Sequence, residues 1–186
     1  TGSGKTEVYL QLAADVLGLD QTVLVLVPEI ALISQMERRF RARFGETVAV
    51  LHSGLSRRER FDQWTRINRG AARVVVGARS AVFAPLARPG LVIVDEEHDG
   101  SYKQESGLPY NARDLAVVRA KLCDGVALLG SATPSLQSLY NRQRGKFRGL
   151  TLSRRVAERP MPAVEIIDLR ENRGRSGIGR FITPAL

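Results

Sequence analysis

Residues 1–6 read Thr1-Gly2-Ser3-Gly4-Lys5-Thr6, and residues 91–98 read Leu91-Val92-Ile93-Val94-Asp95-Glu96-Glu97-His98. The first string has the form of a phosphate loop. Small residues let successive backbone N–H groups curl round phosphate oxygens, a lysine reaches the outer phosphates, and the hydroxyl after it helps to hold Mg²⁺. Gly2, Ser3, Gly4, Lys5 and Thr6 take those places. The second string is an apolar run ending in carboxylates, as a buried strand must if its tip is to hold a metal ion and handle an attacking water. Asp95 is the candidate metal ligand beside Thr6, and Glu96 the candidate base. Either string alone is modest evidence; together they read as a site for ATP and Mg²⁺. Glu97 is the weakest of the acids, with a solvated and a functional role both open.

The phosphate-loop pattern places its first glycine five residues before Gly4, upstream of Thr1. The strand that feeds the loop is therefore expected to be missing, and the chain to be a fragment.

Between and beyond these strings the chain alternates helical and extended patterns. A helix should follow the loop, with Val8, Leu12 and Val16 on one face and Gly18 near its end. Thr22–Val27 is an apolar, β-branched run stopped by Pro28, and Ile30–Phe44 is helical in pattern, with Ile30, Ile33, Met36 or Glu37, Phe40 and Phe44 recurring at threes and fours. Thr47–Leu51 reads as a strand. Ser56-Arg57-Arg58-Glu59 is a capping box opening a helix that carries Phe61, Trp64 and Ile67 towards Gly70. Arg73–Gly77 and Leu91–Val94 are strands. Asn111 opens a helix through Leu115, Val118 and Leu122; Val126–Leu129 is a further strand, followed by Gly130-Ser131-Ala132-Thr133-Pro134 and a helix over Leu136–Tyr140. This is the βαβ signature of a parallel sheet with helices on both faces. Leu150–Leu152 and Val164–Leu169 could be strands, and Glu171–Gly179 reads as flexible. Such sheets bind ligands beyond the carboxyl ends of their strands, where the acidic box and Ser131-Ala132-Thr133 both fall.

His98 can link the box to Ser131 or Thr133 across that edge. The segment Asp99–Tyr110 mixes Tyr102, Lys103, Gln104 and Tyr110; aromatic faces stack on unpaired bases and lysine contacts phosphate, so it reads either as a single-strand contact or as a loop packed on its own domain. Arg79 and Ser80, and more weakly Pro28, Glu29, Ser34, His52, Ser53 and Gly54, sit at strand ends along the same edge. Four such loops in a row favour a track for nucleic acid.

The 186 residues suffice for one buried domain or one domain plus the start of another. No apolar run nears the ~18 residues of a membrane span, and the N-terminus has no leader pattern, so a cytoplasmic place and no membrane partner are expected. The single cysteine, Cys123, is expected to be a small core residue and excludes a cysteine-based zinc cluster within the chain. The formal charge is +9, and residues 141–186 hold 11 Arg or Lys against 4 Asp or Glu. Polyanion binding and a solvated linker both explain that basic tail.

With these residues laid out, the chain resembles the first motor lobe of helicase superfamily 2 and, within it, the primosomal protein N′ (PriA) family of replication-restart helicases. Thr1–Tyr9 is similar to that family's TGSGKTEVY, Val27–Ile30 to its VPEI and Leu51–Leu55 to its LHSGL. Gly77–Phe83 resembles its G-T-R-S-A-x-F with Ala78 replacing Thr. Val94–Gln104 resembles VDEEHDxSYKQ, Tyr110–Ala120 the segment after it, and Gly130–Ser135 GSATPS. The resemblance covers roughly residues 1–155 and implies an α/β, RecA-like P-loop NTPase lobe of three αβα layers, with residues 156–186 as linker and start of a second lobe.

It further implies ATP-dependent 3′-to-5′ unwinding of forked and single-stranded DNA at abandoned replication forks, partners of primosome assembly that reload the replicative helicase, and a monomer. Zinc is expected in the parent protein, outside this chain. The chain alone is expected to hydrolyse ATP negligibly, for want of an arginine finger from a second lobe. Alternatives are a non-catalytic DNA-binding or primosome-scaffolding module, against which intact Lys5, Thr6, Asp95 and Glu96 argue, and another superfamily 2 translocase of the RecG type, which should continue its DE-x-H box differently. A P-loop kinase or transporter is disfavoured by the missing LSGGQ-type signature.

Overall fold

The computed structural model of the chain describes residues 4–153. Gly2, Ser3, the part of the basic tail from Arg154 onward, the proposed strand Val164–Leu169 and the proposed boundary at 155 lie outside the described residues.

Helix α1 (Lys5–Gly18) leads into strand β1 (Thr22–Leu26), helix α2 (Ile30–Phe44) and strand β2 (Val48–Leu51). Helix α3 (Arg57–Asn68), strand β3 (Val74–Gly77) and strand β4 (Pro89–Val94) follow. A short ribbon, β5 (Lys103–Gln104) with β6 (Tyr110–Asn111), precedes helix α4 (Ala112–Leu122), strand β7 (Val126–Leu129) and helix α5 (Leu136–Gln143). Five strands form one parallel sheet in the order β2-β3-β1-β4-β7, and β5 pairs with β6 antiparallel. This is the three-layer α/β lobe expected of a RecA-like domain.

Why these runs are strands follows from the period of two. In β1, Val23 and Val25 face α1 and α2, packing on Tyr9, Ala13, Ile33 and Phe40. Leu24 and Leu26 face the opposite layer, packing with Ile67 of α3 and Ala112, Ala116 and Ala120 of α4. Both faces are covered, so the inner strands are apolar throughout. Strand β7 is the edge beyond β4, and its four residues are half-buried or exposed. The capping box is formed: Ser56 Oγ accepts from the Glu59 N–H at 3.2 Å, and Glu59 accepts from the Ser56 N–H at 2.8 Å.

Two expectations about helix faces and one about Cys123 need correction. In α1 the buried side is Tyr9, Leu10 and Ala13, with Val16 and Leu17 partly covered, while Val8 and Leu12 face outward. In α4 the sheet side is Ala112, Ala116 and Ala120; these small residues bring the helix close to β4 and β7, Leu115 packs at its flank, and Val118 and Leu122 are exposed. Cys123 is exposed at the end of α4, where the chain turns away through a left-handed Asp124 (φ 54°), and is not a core residue. No helix among the described residues is long and apolar enough to cross a membrane.

Candidate functional site

The carboxyl ends of all five strands open on one edge. There α1 begins at Gly4, whose left-handed backbone (φ 85°) turns the chain sharply into the helix. No side chain caps this N-terminus among the described residues, so its first amides and the helix dipole are available to an anion. Lys5 and Thr6 occupy the first turn.

Strand β4 reaches the same edge one step further on. The Asp95 N–H still pairs with the Leu26 carbonyl at 2.9 Å, and Glu96 then takes a left-handed conformation (φ 45°) that breaks the strand. Lys5 Nζ lies 2.6 Å from Glu96 Oε1 and 4.0 Å from Asp95 Oδ1. The structure thus brings together the amine and both acids, which are separated by about 90 residues of sequence. The Asp95 carboxylate is an oxygen donor of the kind that suits protein-held Mg²⁺, which takes one or two protein carboxylates and its other ligands from phosphate and water. The residues present fit that ion and a triphosphate.

Two tyrosines support Asp95. Tyr9, one turn along α1 from Lys5, donates to Asp95 Oδ1 at 2.9 Å. Burial, and then the Asp95 charge beside it, push the Tyr9 phenol far up, so it remains a neutral donor. Burial also raises the Asp95 carboxyl above the usual aspartate range; the Tyr9 hydrogen bond and the Lys5 charge offset this only in part. Tyr102 sits beneath, its hydroxyl 2.6 Å from the Asp95 carbonyl and 3.0 Å from that of Leu26, donating to one or the other. At 1% exposure its ring cannot stack on a base, so the expectation of a nucleic-acid contact at Tyr102 is corrected: it is a core tyrosine that holds up the acidic box.

His98 stands between the box and the β7–α5 turn. Its Nδ1 lies 2.7 Å from Ser131 Oγ, its Nε2 3.4 Å from Thr133 Oγ1, and Glu96 Oε2 is 3.7 Å from Nδ1.

Glu97 points the other way, into the protein, and is 2% exposed. Its carboxylate accepts from the Ser135 N–H at 2.7 Å, the Ser135 hydroxyl at 3.0 Å and the Ser138 hydroxyl at 2.9 Å, with Arg113 at 3.5 Å. Burial pushes its carboxyl up, but these donors outweigh burial and hold it below the usual glutamate range. The solvated reading of Glu97 does not survive its burial.

Arg79 donates to the carbonyls of Ser101 at 3.1 Å and Lys103 at 2.7 Å, tying the end of β3 to the ribbon. Ser80 is exposed beside it. On the ribbon, Lys103 pairs with Glu105 at 2.8 Å, and Gln104 Nε2 donates to the Ser106 carbonyl at 2.6 Å. Tyr110 packs edge-on against Phe83, centroids 5.1 Å apart. Arg79, Lys103 and Gln104 therefore share one surface next to the acidic box, and Tyr110 is partly committed to packing.

Tyr9, Arg113, Ser135 and Ser138 were missed by reasoning from sequence. A signal existed for Tyr9, which falls four residues after Lys5 on one helix face, and for Ser135, a cap-forming residue before a helix. Arg113 carried none.

The profile of the DEAD/DEAH box helicase family matches residues 1–141. The replication restart protein PriA of Bacillus subtilis (strain 168) is 51% identical over 171 residues, covering 92% of this chain and 21% of that protein. The replication restart protein PriA of Synechocystis sp. is 50% identical over 194 residues, covering 100% of this chain and 23% of that protein. The chain thus spans less than a quarter of the length of these two curated relatives. A structure of RecG bound to a three-way DNA junction superimposes with a TM-score of 0.56 at 25% identity, covering 78% of this chain and 18% of RecG.

Proposed function

The chain belongs to the DEAD/DEAH box helicase family, and from that premise we propose that it is the ATP-binding first motor lobe of a 3′-to-5′ DNA helicase of replication restart. The carrying observation is the convergence of Lys5 on Glu96 at 2.6 Å and on Asp95 at 4.0 Å, at the ligand edge of a parallel sheet. ATP with Mg²⁺, when bound, supplies the phosphoanhydride whose cleavage drives movement. The amides from Gly4 onward and Lys5 hold phosphate, with Gly2 and Ser3 assigned to the same loop. Thr6 and Asp95 hold the metal, and Glu96 accepts the proton of the attacking water.

Arg79, Ser80, Lys103, Gln104 and Tyr110 form the adjoining DNA contact, and His98 with Ser131 and Thr133 couples that contact to hydrolysis. The identity to the PriA relatives supports a role at forked and single-stranded DNA, with primosome partners that reload the replicative helicase. Residues 1–155 are the lobe and 156–186 the linker towards a second lobe. The parent acts as a cytoplasmic monomer with zinc held elsewhere, and the 186-residue chain alone turns ATP over negligibly.

The test is DNA-dependent ATPase and unwinding of a 3′-tailed duplex by the full-length protein beside Lys5→Ala and Glu96→Gln. Both substitutions should abolish turnover, Lys5→Ala by weakening nucleotide binding and Glu96→Gln with binding retained. Turnover untouched by both would end the assignment.

A further inference from the structure

Of the three acids in the box, Glu97 is the one that the proposed chemistry leaves unused, and among the described residues it is also the buried charged residue. Burying a carboxylate is costly unless it is paired and hydrogen-bonded. Here most of the pairing falls on the turn after β7 and the start of α5. The Glu97 N–H donates to the Gly130 carbonyl at 3.0 Å, and the Gly130 N–H donates to the Val94 carbonyl at 2.9 Å, so the strand before the turn is stitched to the box through the backbone. The Glu97 carboxylate then accepts from the Ser135 N–H at 2.7 Å, where the turn becomes α5. One residue grips the Gly130–Ser135 turn at both ends.

The grip is braced from outside. Arg113, in the first turn of α4, reaches Glu97 at 3.5 Å, Ser135 Oγ at 3.3 Å and Gln137 Oε1 at 2.6 Å. Ser138 adds its hydroxyl at 2.9 Å. The left-handed Glu96 (φ 45°) makes this possible, because it sends residue 96 towards Lys5 and residue 97 inward towards α5. His98, next in sequence, touches Ser131 and Thr133 within the gripped turn.

We propose that Glu97 is a positioning residue that makes the acidic box and the Ser131–Thr133 turn move as one body, so that nucleic acid held at the strand edge sets the placement of Glu96. This rests on the reading of the chain as a DNA-stimulated motor lobe. Among the described residues Glu97 makes no hydrogen bond or ion pair with Gly4, Lys5 or Thr6, so its loss should separate basal from stimulated turnover. A defect of folding alone would lower both together.

The experiment measures ATPase of the full-length protein with and without single-stranded DNA, for wild type, Glu97→Gln and the milder Ser138→Ala. Basal turnover and the KM for ATP should stay within about twofold of wild type. The ratio of stimulated to basal turnover should fall at least tenfold in Glu97→Gln and several-fold in Ser138→Ala. Full stimulation in both variants, or equal loss of basal and stimulated turnover in Ser138→Ala, would overturn the inference while leaving the motor assignment standing. A wild type that DNA does not stimulate would overturn the motor reading and this inference with it.

Discussion

Tyr9 and Asp95 lie 86 residues apart in sequence and meet through a 2.9 Å hydrogen bond at the heart of the site. Asp95 is raised by burial, and Tyr9 is the strongest influence pulling it back towards the charged form that the proposed metal role requires. Removing the hydroxyl by Tyr9→Phe keeps the ring and deletes the donor. A hydrogen bond to a charged group contributes about 1.5–3 kcal/mol, so Mg²⁺-dependent ATP binding should weaken by about tenfold to a hundredfold. The acid limb of that binding should also move to higher pH, because the Asp95 carboxyl rises further. Titration of a fluorescent ATP analogue against Mg²⁺ at several pH values reads both effects, and an unmoved acid limb would count against Tyr9.

The same tyrosine explains Gly130. A Cβ built at Gly130 would collide with the Tyr9 hydroxyl and crowd its ring carbon Cζ at 2.9 Å. Gly130→Ala should therefore destabilise the chain by about 1–3 kcal/mol through overpacking. Tyr9→Phe removes the worst of the collision, so the double variant should be more stable than the sum of the single changes predicts. Urea unfolding of the four proteins gives the coupling; strict additivity would show that the two residues do not press on each other.

Glu97 and Asp95 act on stability in opposite senses as pH changes. Glu97 is held below the usual glutamate range, so its contacts stabilise the fold above that range and lose their effect as pH falls through the depressed value. Asp95 is raised, so it costs stability near neutrality and that cost fades in acid. Glu97→Gln should cost about 2 kcal/mol at pH 7, from leaving buried donors poorly matched. The gap to wild type should shrink at pH 4. A gap that stays constant across this range would mean that the Glu97 charge contributes nothing.

What was legible in the sequence was whatever repeats with a short period or ends in a functional group. Strands β1, β3 and β4 are short apolar runs rich in valine and isoleucine, and the convergence of Lys5 with Asp95 and Glu96 follows from a loop and a strand tip meeting at one edge of a parallel sheet. The faces of α1 and α4 were not legible. In α4 the buried positions are alanines, which carry little hydrophobic signal beside Val118 and Leu122, and close packing on the sheet rather than hydrophobicity selects them. Tyr102 was misplaced for a related reason. It lies in a loop without period, and only its depth beneath β1 and β4 turns an aromatic that could stack on a base into a buried support.

Helix α3 separates apolar character from burial within one element. Ile67 is buried against the sheet, whereas Phe61 is 69% exposed and Trp64 43% exposed, although all three share the apolar spacing of the helix. The inward side is completed by Gln63, whose side-chain carbonyl accepts from the Val50 N–H at 3.3 Å and so brings α3 onto the edge strand through a polar contact. Ile67→Ala should then cost about 2–5 kcal/mol as a core cavity, while Phe61→Ser should fall within roughly 0.5 kcal/mol of wild type. Chemical denaturation of the two variants separates these outcomes. A large loss in Phe61→Ser would mean that its ring is covered in solution, and that α3 packs there against something besides its own sheet.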